Sequence, residues 1–221
     1  MVAHLCPMGL LRILSWLWPM SAARIKGRRG MLEARYERGR LVLNSARGNQ
    51  SFGSLHRVWQ DCFSGLDLGG APPDHVLLLG LGAGSVPSIL RNELGLACPI
   101  TAVEVDPTII NAAYRFFRLG RVTALTVVQG DAIVQVHALR ERYGLVVVDL
   151  FDDLDLAEGT DTMGFAHALR DRCSGILCFN TVDYDAQSGA RCDKVLVNLK
   201  RVFGSVDELR LEDVNRVFIA R

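Results

Sequence analysis

Glycines and carboxylates recur in this chain at intervals that would let them meet around one ligand. The run VLLLGLGAGS places Gly80, Gly82 and Gly84 where an apolar strand gives way to a helix, and glycine there lets the backbone turn tightly and approach a bound molecule. The spacing is G-x-G-x-G followed by Ser85, which lacks the last Gly or Ala of the G-x-G-x-x-G/A dinucleotide fingerprint and counts against NAD. Twenty residues after Gly84 a second apolar run ends in Glu104, an acid placed to accept from both hydroxyls of a ribose. Asp106 precedes Pro107 and reads as a helix cap. A third run ends in VVQGDA, so Asp131 either accepts from an adenine amino group or caps the next helix, and a fourth ends in VVVDLFDDLD, giving Asp149. Four such edges in one row are far more specific than any one of them.

The elements that must hold these residues follow from the hydrophobic texture. From His75 onward, short β-branched or leucine-rich runs alternate with helix-length segments at 84–94, 107–118 and 131–141. Near-continuous apolar strands of this kind are buried on both faces, so the expected fold class is α/β, a doubly wound and mostly parallel sheet. After a helix at about 191–203, VDELRLE and NRVFIAR are separated by a couple of residues and must form an antiparallel hairpin. A seven-stranded class I methyltransferase sheet ends this way, which together with the ordered acids points to an adenosyl sulfonium ligand. Upstream, residues 31–44 read as a small β-hairpin around Gly39, and 51–66 as a helix with Leu55, Val58, Trp59 and Phe63 on one side. Residues 31–68 thus form a small element before a nucleoside-binding domain at 69–221.

Residues 1–30 read as an amphipathic helix of about ten residues followed by a basic linker. The uncharged run between Arg12 and Arg24 is eleven residues, too short to span a bilayer. The helix is expected to pack on the domain, and peripheral membrane contact through Trp16 and Trp18 is the alternative. Over the whole chain, 25 Lys and Arg against 24 Asp and Glu give a net charge of +1, so no global field favours nucleic acid. The six cysteines show neither metal-site spacing nor a secreted disulfide framework, which implies a reducing, cytoplasmic setting.

The ordered motifs VLLLGLGAGS, AVEVDP, QGDA and VVVDLFDD, with GRLVLNSARGNQSFGSLHRV upstream, resemble the spermidine synthase family of class I methyltransferase-fold transferases over roughly 31–220. The resemblance implies that Gly80, Gly82 and Gly84 flank the methionine part of the donor, Glu104 its ribose, and Asp131 with Ala132 its adenine. Asp149 and Asp152 match the family's catalytic D-x-x-D segment. The donor would be S-adenosylmethionine or its decarboxylated form, and the reaction aminopropyl transfer to a small amine, with His56, Asp152 and Asp153 on the substrate side. An alkylamine has a pKa of about 10.4, so a carboxylate that takes or steers its proton assists attack. Asp155, Glu158 and Asp161 extend an acidic loop suited to a cationic substrate, or to capping the helix that begins near Asp161.

Two departures stand out. The family's Tyr-His-Glu run is Leu55-His56-Arg57 here, placing a cation where a diamine would be held, and the segment after Asp152 continues Asp153-Leu154-Asp155 instead of with proline. A methyltransferase on an unknown small molecule is therefore the alternative, as is a catalytically degenerate nucleoside-binding protein. Magnesium on Asp149, Asp152 and Asn180 is conceivable from oxygen ligands, but the Asp-Asn pair of metal-dependent O-methyltransferases is replaced by Phe179-Asn180, and no metal is expected. The sequence leaves homodimerisation open.

Overall fold

The structure, a computed structural model, describes residues 8–28, 30–45 and 49–221. Its centre is a seven-stranded sheet built from β5 (Val76–Leu79), β6 (Ile100–Glu104), β7 (Leu125–Gln129), β8 (Tyr143–Val148), β11 (Cys173–Val182), β12 (Val206–Leu211) and β13 (Asn215–Ala220). The spatial order is β12-β13-β11-β8-β5-β6-β7. All neighbours from β7 to β11 pair in parallel, whereas β13 runs antiparallel to both β11 and β12. The terminal strand is inserted between β11 and β12, and the link 212–214 reverses the chain with positive φ at Glu212 and Asp213.

Strand alternation divides the core. Val76 and Leu78 of β5, with Leu145 and Val147 of β8, face a cluster that includes Val58, Trp59 and Phe63 of α2 (Gly53–Ser64), Val86 of α3 (Ser85–Ser88) and Ala113 of α4 (Pro107–Phe116). Leu77, Leu79, Val146 and Val148 face the opposite cluster, built with Val136 of α5 (Ala132–Ala138), Phe165 and Leu169 of α6 (Met163–Arg172) and Leu199 of α7 (Ala186–Val202). Both faces of the sheet are covered, which is why its strands could be apolar at every position. Helix α7 starts five residues before the expected 191, because Asp185 and Ser188 form a reciprocal capping box on a segment with no hydrophobic start signal. The segment expected as one helix at 84–94 is α3 followed by a wider π-turn over Ile89–Glu93.

Before the main sheet, α1 (Met8–Leu14) leads into β1 (Met20–Gly27), β2 (Gly30–Glu37), β3 (Arg40–Asn44) and β4 (Asn49–Ser51), an antiparallel sheet in that order. The hairpin expected at 31–44 is present as β2 and β3. The basic linker is not: Met20–Gly27 pairs along β2 from Met20↔Tyr36 to Gly27↔Gly30. Alternation of Ala23 and Ile25 with Arg24 and Lys26 puts the small apolar side chains against Phe117 and Ile109 and leaves the basic ones outside, a pattern that the charge run obscures. The part of the expected first helix within 1–7 lies outside the described residues.

Candidate functional site

The carboxyl ends of β5, β6, β7 and β8 open into a cavity of about 630 Å³. This is where an open parallel sheet binds ligands, at the point where connections from β5 diverge to its two sides. The tip of the β1–β2 hairpin, through Gly27, Arg28 and Gly30, lines one wall and the acidic loop after β8 lines another. The loop makes a short antiparallel pair, β9 (Phe151–Asp152) with β10 (Asp155–Leu156).

Gly80 and Gly82 line the cavity, but Gly84 does not; it turns the chain into α3, and Leu119 packs over it. Gly80 has φ +95°, and a Cβ there would stand 2.0 Å from the Asp149 carbonyl oxygen. The donor loop and the chain at the end of β8 are thus in direct backbone contact.

Glu104 is buried, and its carboxylate accepts from the Gly82 N–H at 3.1 Å and the Asp106 N–H at 3.0 Å. Burial pushes its pKa up, and those backbone donors oppose the shift. Asp106 accepts from the Thr108 N–H at 2.8 Å, the cap read from the sequence, and also from the Arg28 N–H at 2.5 Å. The second bond fixes the hairpin tip over the cavity. Asp131 caps α5, accepting from the Ile133 N–H at 2.8 Å, and also lines the cavity, with Ala132 alongside. If the cavity takes an adenosyl donor with its ribose at Glu104, replacing Glu104 by Gln should weaken that binding about ten- to a hundredfold, measured by calorimetry, because a charged acceptor is lost.

At the other end Asp149 is half-buried, at the edge of the cavity. One oxygen accepts from Trp59 Nε1 at 3.0 Å and the other from Asn180 Nδ2 at 3.0 Å. The Asn180 carbonyl oxygen accepts in turn from Asn215 Nδ2 at 3.0 Å, so α2, β11 and β13 all orient this carboxylate. Burial raises its pKa to about 6 against the pull of the two donors. Trp59 read only as a core residue in the sequence; a buried indole N–H nonetheless needs an acceptor, and that was the available signal.

Asp152 and Asp153 line the cavity with Asp149, as does Glu158. Asp153 holds φ +63°, and Ser45 donates to its carboxylate. With Glu104, Asp106 and Asp131 the lining carries seven carboxylates, whereas Arg28 is its one cation among the described residues. No group of three or more His, Cys, Asp or Glu that could hold a metal occurs among the described residues.

His56 is not brought to this cavity. Its Nε2 pairs with Glu93 at 2.8 Å and its ring stacks on Phe52, so it lines a separate cavity under the N-terminal sheet. Arg57 likewise points elsewhere: it makes a two-pronged pair with Glu212 at 2.7 and 2.8 Å and does not line the adenosyl cavity. The expectation that Arg57 repels a diamine therefore fails, because α2 turns this position towards the β12–β13 link. Arg57→Ala is expected to cost less than about 1 kcal/mol of stability and to leave ligand binding unchanged, since an exposed pair is weakly stabilising; thermal melts with and without ligand check both.

No family model matches the chain. It is similar to a polyamine aminopropyltransferase of Vibrio vulnificus (strain CMCP6), 29% identical over 159 residues that make up 67% of this chain and 50% of that protein. It is also similar to an eEF1A lysine and N-terminal methyltransferase homolog of Drosophila pseudoobscura pseudoobscura, 31% identical over 154 residues, 64% of this chain and 22% of that one. The chain thus matches half the length of the first relative and less than a quarter of the second. Among solved structures, a probable spermidine synthase from Corynebacterium glutamicum ATCC 13032 superposes with a TM-score of 0.71 at 14% identity, covering 90% of this chain and 79% of that one. Human methyltransferase-like protein 13 in complex with SAH gives 0.63 at 22% identity, covering 76% and 82%. These superpositions show that this chain has the class I methyltransferase fold.

Proposed function

We propose that this protein is a transferase that moves an alkyl group from an S-adenosylmethionine-type donor to an amine, with an aminopropyl group from the decarboxylated donor as the favoured reading. The observation that carries it is the charge of the cavity, seven carboxylates against Arg28. Such a lining favours a donor whose tail ends in an ammonium over one ending in a carboxylate, and favours a cationic acceptor. An ammonium 4 Å from a carboxylate gains about 4 kcal/mol before desolvation in a partly screened site.

The donor supplies an electrophilic carbon on a sulfonium and departs as a neutral thioether. The chain's own residues do the rest. Glu104 and Asp131 are placed to hold ribose and adenine. Asp149, its two oxygens steered by Trp59 and Asn180, takes the proton that the amine sheds as the new carbon–nitrogen bond forms, and Asp152 orients the amine from the β9–β10 turn. The named acceptors of both sequence relatives, a polyamine and protein amino groups, are amines. The second of these supports methyl transfer to an amine as the other reading, with the same proton acceptor.

Calorimetric titration with S-adenosylmethionine, decarboxylated S-adenosylmethionine and methylthioadenosine separates them. The aminopropyl reading expects the decarboxylated donor to bind at least about tenfold more tightly than the intact one, a difference of about 1.4 kcal/mol. Tighter binding of the intact donor moves the assignment to methyl transfer, and binding of none of the three overturns both.

A further inference from the structure

We propose that the corner between α1 and β1 is a docking surface for an anionic lipid bilayer. Residues expected from the sequence to pack on the domain instead face outward. Ile13 is 69% exposed, Trp16 70%, Leu17 86% and Trp18 76%, and Leu10 and Leu14 are exposed beside them. A contiguous apolar display of this kind is uncommon on a protein that meets only water, and tryptophan in particular partitions to the membrane interface.

The display is held in place. The Ser15 side chain is buried; its hydroxyl donates to the Arg12 carbonyl at 2.7 Å and accepts from the Gly39 N–H at 2.9 Å. The Ser15 carbonyl accepts from the Arg38 N–H at 2.9 Å, and Arg12 Nε donates to the Gly39 carbonyl at 3.1 Å. Trp16 lies so close to the β2–β3 turn that a Cβ on Gly39 would be 2.8 Å from its Nε1.

Charge selects the partner. At the corner itself the cations are Arg12 of α1 and Arg38 and Arg40 at the β2–β3 turn that anchors it. Beside the corner Arg12, Arg40 and Arg118 line a cavity of about 400 Å³ with Phe52 and Phe117 in its wall. The Arg40 and Arg118 side chains make no hydrogen bond or close ion pair among the described residues, and the acid in the same wall, Glu93, bonds to His56 and Gln60 and feels Arg40 only through its charge. Exposed tryptophans ringed by guanidinium groups fit a layer of acyl chains under phosphate headgroups. A second copy of the chain fits less well, since a two-fold contact would bring the same arginines together. The contact is peripheral: among the described residues no helix is long and apolar enough to cross a membrane.

Flotation of the full chain with vesicles of phosphatidylcholine alone or mixed with phosphatidylglycerol tests this. The expected result is binding to the mixed vesicles at least about tenfold stronger than to the zwitterionic ones, with a blue shift of tryptophan emission. The triple variant Trp16→Ser, Leu17→Ser, Trp18→Ser should lose both, and Arg40→Glu with Arg118→Glu should lose the preference for anionic vesicles; unchanged thermal melts show that each variant is folded. Failure of the wild type to float, equal binding to both vesicles, or a concentration-dependent dimer in light scattering that the triple variant abolishes while vesicles go unbound, each overturns the proposal.

Discussion

Asp149→Asn should lower kcat/KM about 10²- to 10⁴-fold, because the substitution removes the proposed proton acceptor. The pH profile gives the stricter form of this expectation. Burial raises the Asp149 pKa to about 6, so the carboxylate is protonated and idle below that value and ionised above it. The acid limb of kcat/KM should then rise with unit slope through about pH 6 and be absent in Asp149→Asn. Trp59→Phe deletes a donor that favours the ionised form, so the limb should move to higher pH by roughly one unit. A limb that stays in place in Trp59→Phe would mean that another group titrates. Stability carries the opposite sign. The folded protein holds the Asp149 proton more tightly than the unfolded chain, so this group's contribution falls as pH rises from about 4 through 6.

The second large effect is structural. Gly80→Ala is expected to destabilise the fold by about 2–6 kcal/mol, combining the strain of a non-glycine residue at positive φ with an overlap that the backbone must relieve. The partner in that overlap is the Asp149 carbonyl, 2.0 Å from the added Cβ, and a main-chain carbonyl just past β8, on a residue whose N–H is held by the Leu79 carbonyl, cannot rotate aside as a side chain would. Urea unfolding measures the loss. Gly164→Ala is the control: a Cβ there meets nothing within 4 Å, and the position lies in α6 with φ in the ordinary range, so stability should hold or rise slightly. A loss below about 1 kcal/mol in Gly80→Ala would show that the two segments are not in contact.

The parallel core was legible because burial on both faces writes itself as apolar runs, and the terminal hairpin because a three-residue link leaves no other pairing for β12 and β13. The cavity-lining residues at the strand ends were legible for a related reason: strand ends repeat at fixed intervals, so Gly80, Gly82, Glu104 and Asp131 could be placed in one row before any contact was known. The first strand was hidden since its period-two alternation uses alanine against arginine and lysine, a weak contrast that reads as a basic tail. The direction in which α2 presents its side chains was hidden too. His56 and Arg57 are adjacent in sequence, yet one goes under the N-terminal sheet to Glu93 and the other out to Glu212, and neither partner is near them in the chain. Long-range ion pairs of this sort leave no local pattern. The same holds for Trp59 and Asn180, whose meeting at Asp149 depends on a helix and a strand separated by more than a hundred residues.

The backbone contact between Gly80 and Asp149 also bears on how such a site can change over time. The glycine loop after β5 rests on the chain that carries Asp149, so neither can shift without the other. The acidic turn after Asp149 and the tip of the β1–β2 hairpin touch the cavity without bearing on that contact, so substitutions there leave it intact. On the proposed function, a lineage built on this frame is free to exchange the molecule it alkylates while its adenosyl donor stays fixed.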